Sequence, residues 1–364
     1  MTAPLKAPFP WFGGKSRVAH IVWQRFGPDV PNYVEPFFGS GAVLLARPEG
    51  PGRIETVNDL DGYIANFWRA VKHCPGEVAH WADWPVNEAD LHARHTFLRR
   101  HSEDLLPRLM GDPDWCDPLI AGWWVWGMAC WIGGGWCGDS GTGPWHVLDG
   151  QLTHIRDLGA GVRGVKRPRV QLGDGGRGVT RQLVHLGGGG QGVARPRVHL
   201  GNAGQGVARH EVSGGLVEWM EALAARLERV RVCCGQWDRI LGPSPTVGLG
   251  TTAVLLDPPY ANEVRCEGVY RHDDGDVAAD VLDWCIEHGS DPDLRIALCG
   301  YATEAHGVLS TEHGWDEHKW SASGGYGNHD SAAMTNRHLE RVWFSPACLP
   351  AEPPTPSLFD EVSP

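Results

Sequence analysis

The chain has 364 residues, 42% of them hydrophobic and 21% charged, with a formal net charge of -12 at pH 7. Such a length sustains a large core and about two domains, and with no apolar run of about eighteen residues and no basic-then-apolar start it is read as cytoplasmic, with no membrane span or signal peptide. The ten cysteines show no paired Cys/His spacing of the zinc type, so no metal site is expected, and an acidic chain can meet nucleic acid only through a local basic face.

Pro10-Trp11-Phe12-Gly13-Gly14-Lys15 comes first, ahead of an apolar-periodic helix from Val18 to Phe26. Two glycines before a helix let backbone N–H groups approach an anion, with Lys15 adding a charge; a plain glycine turn packed under Trp11 accounts for the same residues. A short strand then runs through Tyr33, Val34 and Glu35 into Pro36, Phe37 and the turn Gly39-Ser40-Gly41, and a helix opens at Ala42. The next strand, from Glu55, ends in acids about twenty residues further on, where a carboxylate such as Asp59 can accept from both hydroxyls of a ribose. Strand, glycine turn, helix, strand, acid is the order of a nucleoside-binding βαβ unit.

Residues 73–120 read as irregular helices, the longest from Ala89 to Met110, and as a connector. Trp123, Trp124, Trp126, Trp131 and Trp136 follow, spaced by glycines, either as core or as uncovered rings able to stack on or wedge into DNA. Gly164-Val165, Gly178-Val179, Gly192-Val193 and Gly206-Val207 then recur at steps of 14 residues. Such units form stacked short strands around Val170, Val184 and Val198, or a flexible glycine-rich loop that orders on a partner. Arg156, Arg163, Lys166, Arg167, Arg169, Arg177, Arg181, Arg195, Arg197 and Arg209 face only Asp157 and Asp174, a local surplus of eight positive charges in an acidic chain. That polarity suits a phosphate-tracking surface for double-stranded DNA.

An amphipathic helix from Glu218 returns the chain to a strand at Val230 to Cys234, followed by Gly235-Gln236-Trp237-Asp238. Ala253 to Leu256 read as a buried strand that stops at Asp257-Pro258-Pro259-Tyr260. The two prolines fix φ and remove donors, so the carbonyls of Asp257 and Pro258 stay open to an outside donor. Acceptors beside the flat face of Tyr260 suit the exocyclic amine of a nucleobase. A helix from Asp276 to His288, a strand from Leu294 to Tyr301, a loop from Ser321 to His329 and a strand from Leu339 to Phe344 complete the order, before a proline-rich end.

The opening at 11–15, Glu-Pro-Phe-Phe-Gly-Ser-Gly at 35–41, Asn58-Asp59 and Asp257 to Tyr260 together resemble, in order and spacing, the Dam family of DNA adenine methyltransferases, over roughly residues 9–72 and 228–346. The resemblance implies an α/β, Rossmann-like S-adenosylmethionine methyltransferase core at 1–72 and 212–345. A target-recognition region at 73–211 would interrupt it, carrying the glycine-rich repeats at about 150–210, and 346–364 would be a disordered tail. It also implies that Trp11, Gly14, Lys15, Glu35, Pro36, Phe37, Gly39, Gly41, Asp59, Gln236 and Trp237 hold the cofactor, with Asp59 on the ribose. Gln236 stands where the family usually has an acid on the cofactor's adenine amine, and Asp238 is a second candidate. Asp257, Pro258, Pro259 and Tyr260 would be catalytic, acting on the N(6) amine of a flipped-out adenine. N(4)-cytosine methylation and a catalytically idle DNA-binding protein are the alternatives. In the tail, Leu358 and Phe359 resemble the short peptides that dock DNA-processing enzymes into the sliding clamp, with Thr355 in place of the usual glutamine.

Overall fold

A computed structural model describes residues 5–9, 11, 14–50, 53–131, 135–138, 215–259, 277–302, 305–320 and 340–351, with backbone alone at 145–148 and 151–154. Its elements are α1 (Ala19–Phe26), β1 (Asn32–Glu35), α2 (Ala42–Leu45), β2 (Ile54–Asp59), α3 (Gly62–His73), α4 (Pro75–Ala82), α5 (Glu88–Gly111), α6 (Pro118–Cys130), β3 (Trp145–Leu148), β4 (Gln151–His154), α7 (Leu216–Leu227), β5 (Val230–Cys234), β6 (Thr252–Leu256), α8 (Val277–His288), β7 (Leu294–Tyr301), α9 (Gly307–Glu312), β8 (Asp316–Lys319) and β9 (Glu340–Phe344). Seven strands share one sheet in the order β5-β2-β1-β6-β7-β9-β8, and β3 and β4 form a separate hairpin. The first five strands of that order run parallel, while β9 is antiparallel to both β7 and β8.

Every residue of β6 is buried, as a central parallel strand covered on both faces requires. Its side chains alternate between two cores. Ala253 and Leu255 join the cluster that includes α1, α3 and α7, whereas Val254 and Leu256 meet Val281, Ile296 and Leu298 on the α8 side. At the opposite extreme β8, Asp-Glu-His-Lys, is a charged and largely exposed edge that discourages further strand pairing.

The helices after α3 do not form a separate body. Val78, Leu98, Leu109, Ile120 and Val125 of α4, α5 and α6 share one buried cluster with Phe67 of α3 and Leu223 of α7, so the described part of 73–131 is built onto the core at the β5 edge. Apolar all round, α6 is enclosed as that pattern demands. Trp124 and Trp126 are buried, and Trp123 and Trp136 are half-buried against the core. Trp131 stacks on the buried His95 ring at 4.8 Å. The tryptophan cluster is therefore packing, and an uncovered wedge is not what these rings present. Arg94 ties the same region together, its guanidinium lying 4.3 Å from the Trp126 ring and 5.0 Å from Trp123.

Residues 346–351 also depart from the expected disordered tail. Cys348 is buried, the Leu349 N–H donates to the Arg25 carbonyl at 2.8 Å, and Arg25 Nε donates back to the Leu349 carbonyl. One backbone and one side-chain hydrogen bond thus dock this segment on α1. The 14-residue repeats, all ten cations proposed to track phosphate, Tyr260, Leu358 and Phe359 lie outside the described residues.

Candidate active site

The sheet reverses its winding between β1 and β6: the order leads from β1 through β2 to β5 on one side and from β6 through β7 to β9 on the other. Open α/β sheets bind ligands at the carboxyl ends of their strands where such a reversal opens a crevice. Along that edge lie Gln236 after β5, Asp59 at the end of β2, Glu35 at the end of β1 and Asp257 just past β6. Glu340 joins them because β9 is antiparallel and begins where the parallel strands end.

Beyond Glu35 the chain turns through Gly39 and Gly41, whose φ values of +47° and +62° lie in the left-handed region that favours glycine. A Cβ at Gly39 would meet Trp11 Nε1 at 2.5 Å, so the absence of a side chain also lets the indole close over the turn. Asp59 binds this turn to β2: its Oδ2 accepts from the Gly39 N–H at 2.8 Å, and its Oδ1 accepts from the Asp61 N–H at 2.9 Å. Burial and then the charge of Asp61 push the Asp59 carboxyl up to about 7, against the opposing pull of N–H donors from Gly39, Asp61 and Leu60. Asn58 bridges the neighbouring loops, its Nδ2 donating to the carbonyls of Pro36 at 3.1 Å and Gly235 at 2.8 Å.

On the β6 side, Lys15 Nζ lies 2.8 Å from Asp257 Oδ1, with side-chain exposures of 4% and 24%. Burial alone would lower the lysine's pKa, but Asp257, Glu340 and Cys299 outweigh it and drive it up, so the ammonium keeps its proton. Glu35 is buried beside them and accepts from the Tyr33 hydroxyl at 2.8 Å. Burial raises its carboxyl well above the usual range; the Tyr33 bond opposes this, and the charge of Asp257 adds to it. The indole of Trp320, centred 5.8 Å from Lys15 Nζ, closes the group. A carboxylate fixed by an ammonium at the switch point, next to a glycine turn and a second desolvated acid, can bind a nucleoside and accept hydrogens from an amine.

Residues 11–105 match the family described as D12 class N6 adenine-specific DNA methyltransferase. Over this segment the chain is similar to that family. It is accordingly an enzyme that methylates adenine in DNA. The matched segment runs from Trp11 through β1, the glycine turn and β2 into α5, so α4 and the larger part of α5 fall within it, beyond residue 72. A comparison with curated proteins returns no match.

Among the proposed site residues of this methyltransferase, Trp11, Lys15, Glu35, Pro36, Gly39, Gly41, Asp59 and Asp257 gather in or beside the crevice. Pro258 and Pro259 are described and carry the chain away from β6. Gln236 and Trp237, at the β5 end of the same edge, line an open hollow of about 490 Å³ with Asp238 and with Asp280, Asp283, Trp284 and Glu287 of α8. Trp237 also stacks on Phe37 with 6.1 Å between ring centres, which links the hollow to the loop after β1. Gly14 has φ −52°, so its conformation is open to any residue. Four neighbours of the site were not singled out from the sequence: Asn58 as a bridge, Cys299, Trp320 and Glu340. The one local signal was Glu340, an acid at the head of a strand that runs through Arg341 into the apolar Val342-Trp343-Phe344. Among the described residues no helix is long and apolar enough to cross a membrane, and no cluster of side chains could hold a metal ion.

Proposed function

We propose that this adenine methyltransferase takes its methyl group from S-adenosylmethionine and delivers it to the N(6) amine of an adenine flipped out of duplex DNA. The observation that carries the proposal is the Asp257 carboxylate, set at the sheet's reversal point 2.8 Å from a buried ammonium. The residues on the β1 and β2 side fit the cofactor. Gly39 and Gly41 leave room for close backbone approach, and Asp59 is a desolvated acid suited to ribose hydroxyls. Phe37 and Trp237 would flank its adenine, with Gln236 or Asp238 accepting from the adenine amine.

When bound, the cofactor supplies a sulfonium methyl that takes up the amine lone pair as its carbon–sulfur bond breaks, the bonding electrons passing to sulfur. Asp257 and the Pro258 carbonyl accept the two amine hydrogens, which draws the nitrogen toward tetrahedral geometry and aims its lone pair. The methylated nitrogen then sheds a proton through the Asp257 carboxylate, which is 24% exposed and so reaches solvent. Tyr260 stacks on the extruded base and helps offset an unstacking cost of a few kcal/mol. Positioning supplies most of the acceleration. The basic repeats track phosphate and hold the acidic body away from it.

Incubation with labelled S-adenosylmethionine and duplex DNA, followed by nucleoside analysis, should yield N(6)-methyldeoxyadenosine. Asp257→Ala should abolish transfer while cofactor affinity stays nearly unchanged. A methylated cytosine product, or Asp257→Ala turnover within about tenfold of the parent, would overturn the assignment.

A further inference from the structure

Resting on that reading, we propose that Lys15 is a positioning residue for Asp257. Three chain segments far apart in sequence meet here: the stretch before α1, the end of β6 and the start of β9. Lys15 reaches Asp257 Oδ1 at 2.8 Å while only 4% exposed. An ammonium so deeply buried is stable only among anions, because an unpaired charge in that setting is strongly destabilising. Asp257 and Glu340 supply them, with the Cys299 thiol and the Trp320 ring as the remaining neighbours.

The cation has two effects. It offsets repulsion among carboxylates that converge on one crevice, and it fixes the Asp257 side chain by one oxygen. The second oxygen is left for the amine of the target base. An acceptor that must meet a flipped base within hydrogen-bond reach gains from being held before the base arrives, since a misplacement of about 1 Å can cost about a hundredfold in rate. Lys15 therefore acts on the reaction through Asp257, a role distinct from the cofactor contact implied by family resemblance. Glu340 is buried at 3% exposure, and its backbone carbonyl accepts from the Trp320 N–H at 3.3 Å, so both neighbours of Lys15 on that side are tied to each other.

The test is steady-state kinetics of the full chain on duplex DNA, with cofactor affinity measured separately by calorimetry. Lys15→Met should lower kcat by about a hundredfold with KM for DNA and the cofactor Kd little changed, and Lys15→Arg should recover part of the loss by restoring a charged donor. On an Asp257→Asn background Lys15→Met should cost nothing further, because the residue it positions is already disabled. Thermal melting of each variant reports folding, and Lys15→Gln carries the same expectation should Lys15→Met not fold. A Lys15→Met enzyme with parental kcat, or one whose activity falls only in step with a weakened cofactor Kd, overturns the positioning role. Absence of transfer by the parent enzyme would instead overturn the methyltransferase mechanism itself, so the two failures are distinguishable.

Discussion

Cofactor affinity should depend on pH through Asp59. Its carboxyl is pushed from an ordinary 3.8 up to about 7, first by burial and then by the charge of Asp61. Ribose hydroxyls donate, so they bind the ionised form. With one proton linked to binding, affinity should be nearly full at pH 8, about halved at pH 7 and about tenfold lower at pH 6. Stability of the free protein runs the other way. The folded state holds this proton more tightly than the unfolded chain, so the stabilisation is complete below about pH 4 and is lost as pH rises through about 7. The cofactor-induced rise in melting temperature should therefore grow across that window. Asp61→Asn removes the neighbouring charge while keeping the N-cap of α3, where Asp61 Oδ1 accepts from the Tyr63 N–H at 2.8 Å. The variant should move the midpoint to lower pH and flatten the loss between pH 8 and 6. Calorimetric titration of S-adenosylmethionine at constant ionic strength measures both. Affinity flat from pH 6 to 8, or a steeper dependence in Asp61→Asn, would refute the assignment of Asp59 to the ribose.

Gly39→Ala should cost about 1–2 kcal/mol for the left-handed backbone alone, and more for displacing Trp11, whose Nε1 would lie 2.5 Å from the new Cβ; denaturant unfolding and cofactor Kd should both worsen, and a parental melting curve would contradict the proposed close fit. Deleting residues 164–207 should leave a folded, cofactor-binding protein with weak DNA affinity, whereas the intact chain should lose affinity steeply with salt, as a protein neutralising several phosphates does. A deletion variant that keeps its affinity, or an intact chain with no salt slope, would remove the repeats from the DNA surface.

Much of the catalytic edge is local. The apolar run Ala253 to Leu256 has to be a buried strand, and Pro258 and Pro259 have to end it, so Asp257 falls at a strand end by covalent geometry alone. Gly39 and Gly41 are similar, since their positive φ values reflect the backbone of one tight turn. The acids Asp59 and Asp61 close a short strand, Ile54–Asp59, in the fold as along the chain. The order of these motifs along the chain also carried the adenine-methyltransferase assignment, because each is a short contiguous piece whose chemistry is complete within itself.

What lies across the crevice could be known only from the tertiary structure. Lys15 has no local reason to face Asp257 rather than a cofactor; the meeting requires β1 and β6 to be neighbours and the segment before α1 to cross above them. Glu340 reaches the same edge because β9 runs antiparallel to β7, and strand direction is a property of the whole sheet. The tryptophans of α6 and the chain end at 346–351 differ from expectation for the same cause. Spacing shows that an aromatic ring exists, but burial depends on what arrives to cover it, here Phe67 of α3 and Phe9 around Trp124 and α1 beneath Leu349. Where the chain turns and which acids end its strands are settled locally, because they depend on φ restrictions and hydrophobic period over a few residues. Which charges share a site is settled by the assembled sheet, because pairing depends on distances between segments that no local rule couples.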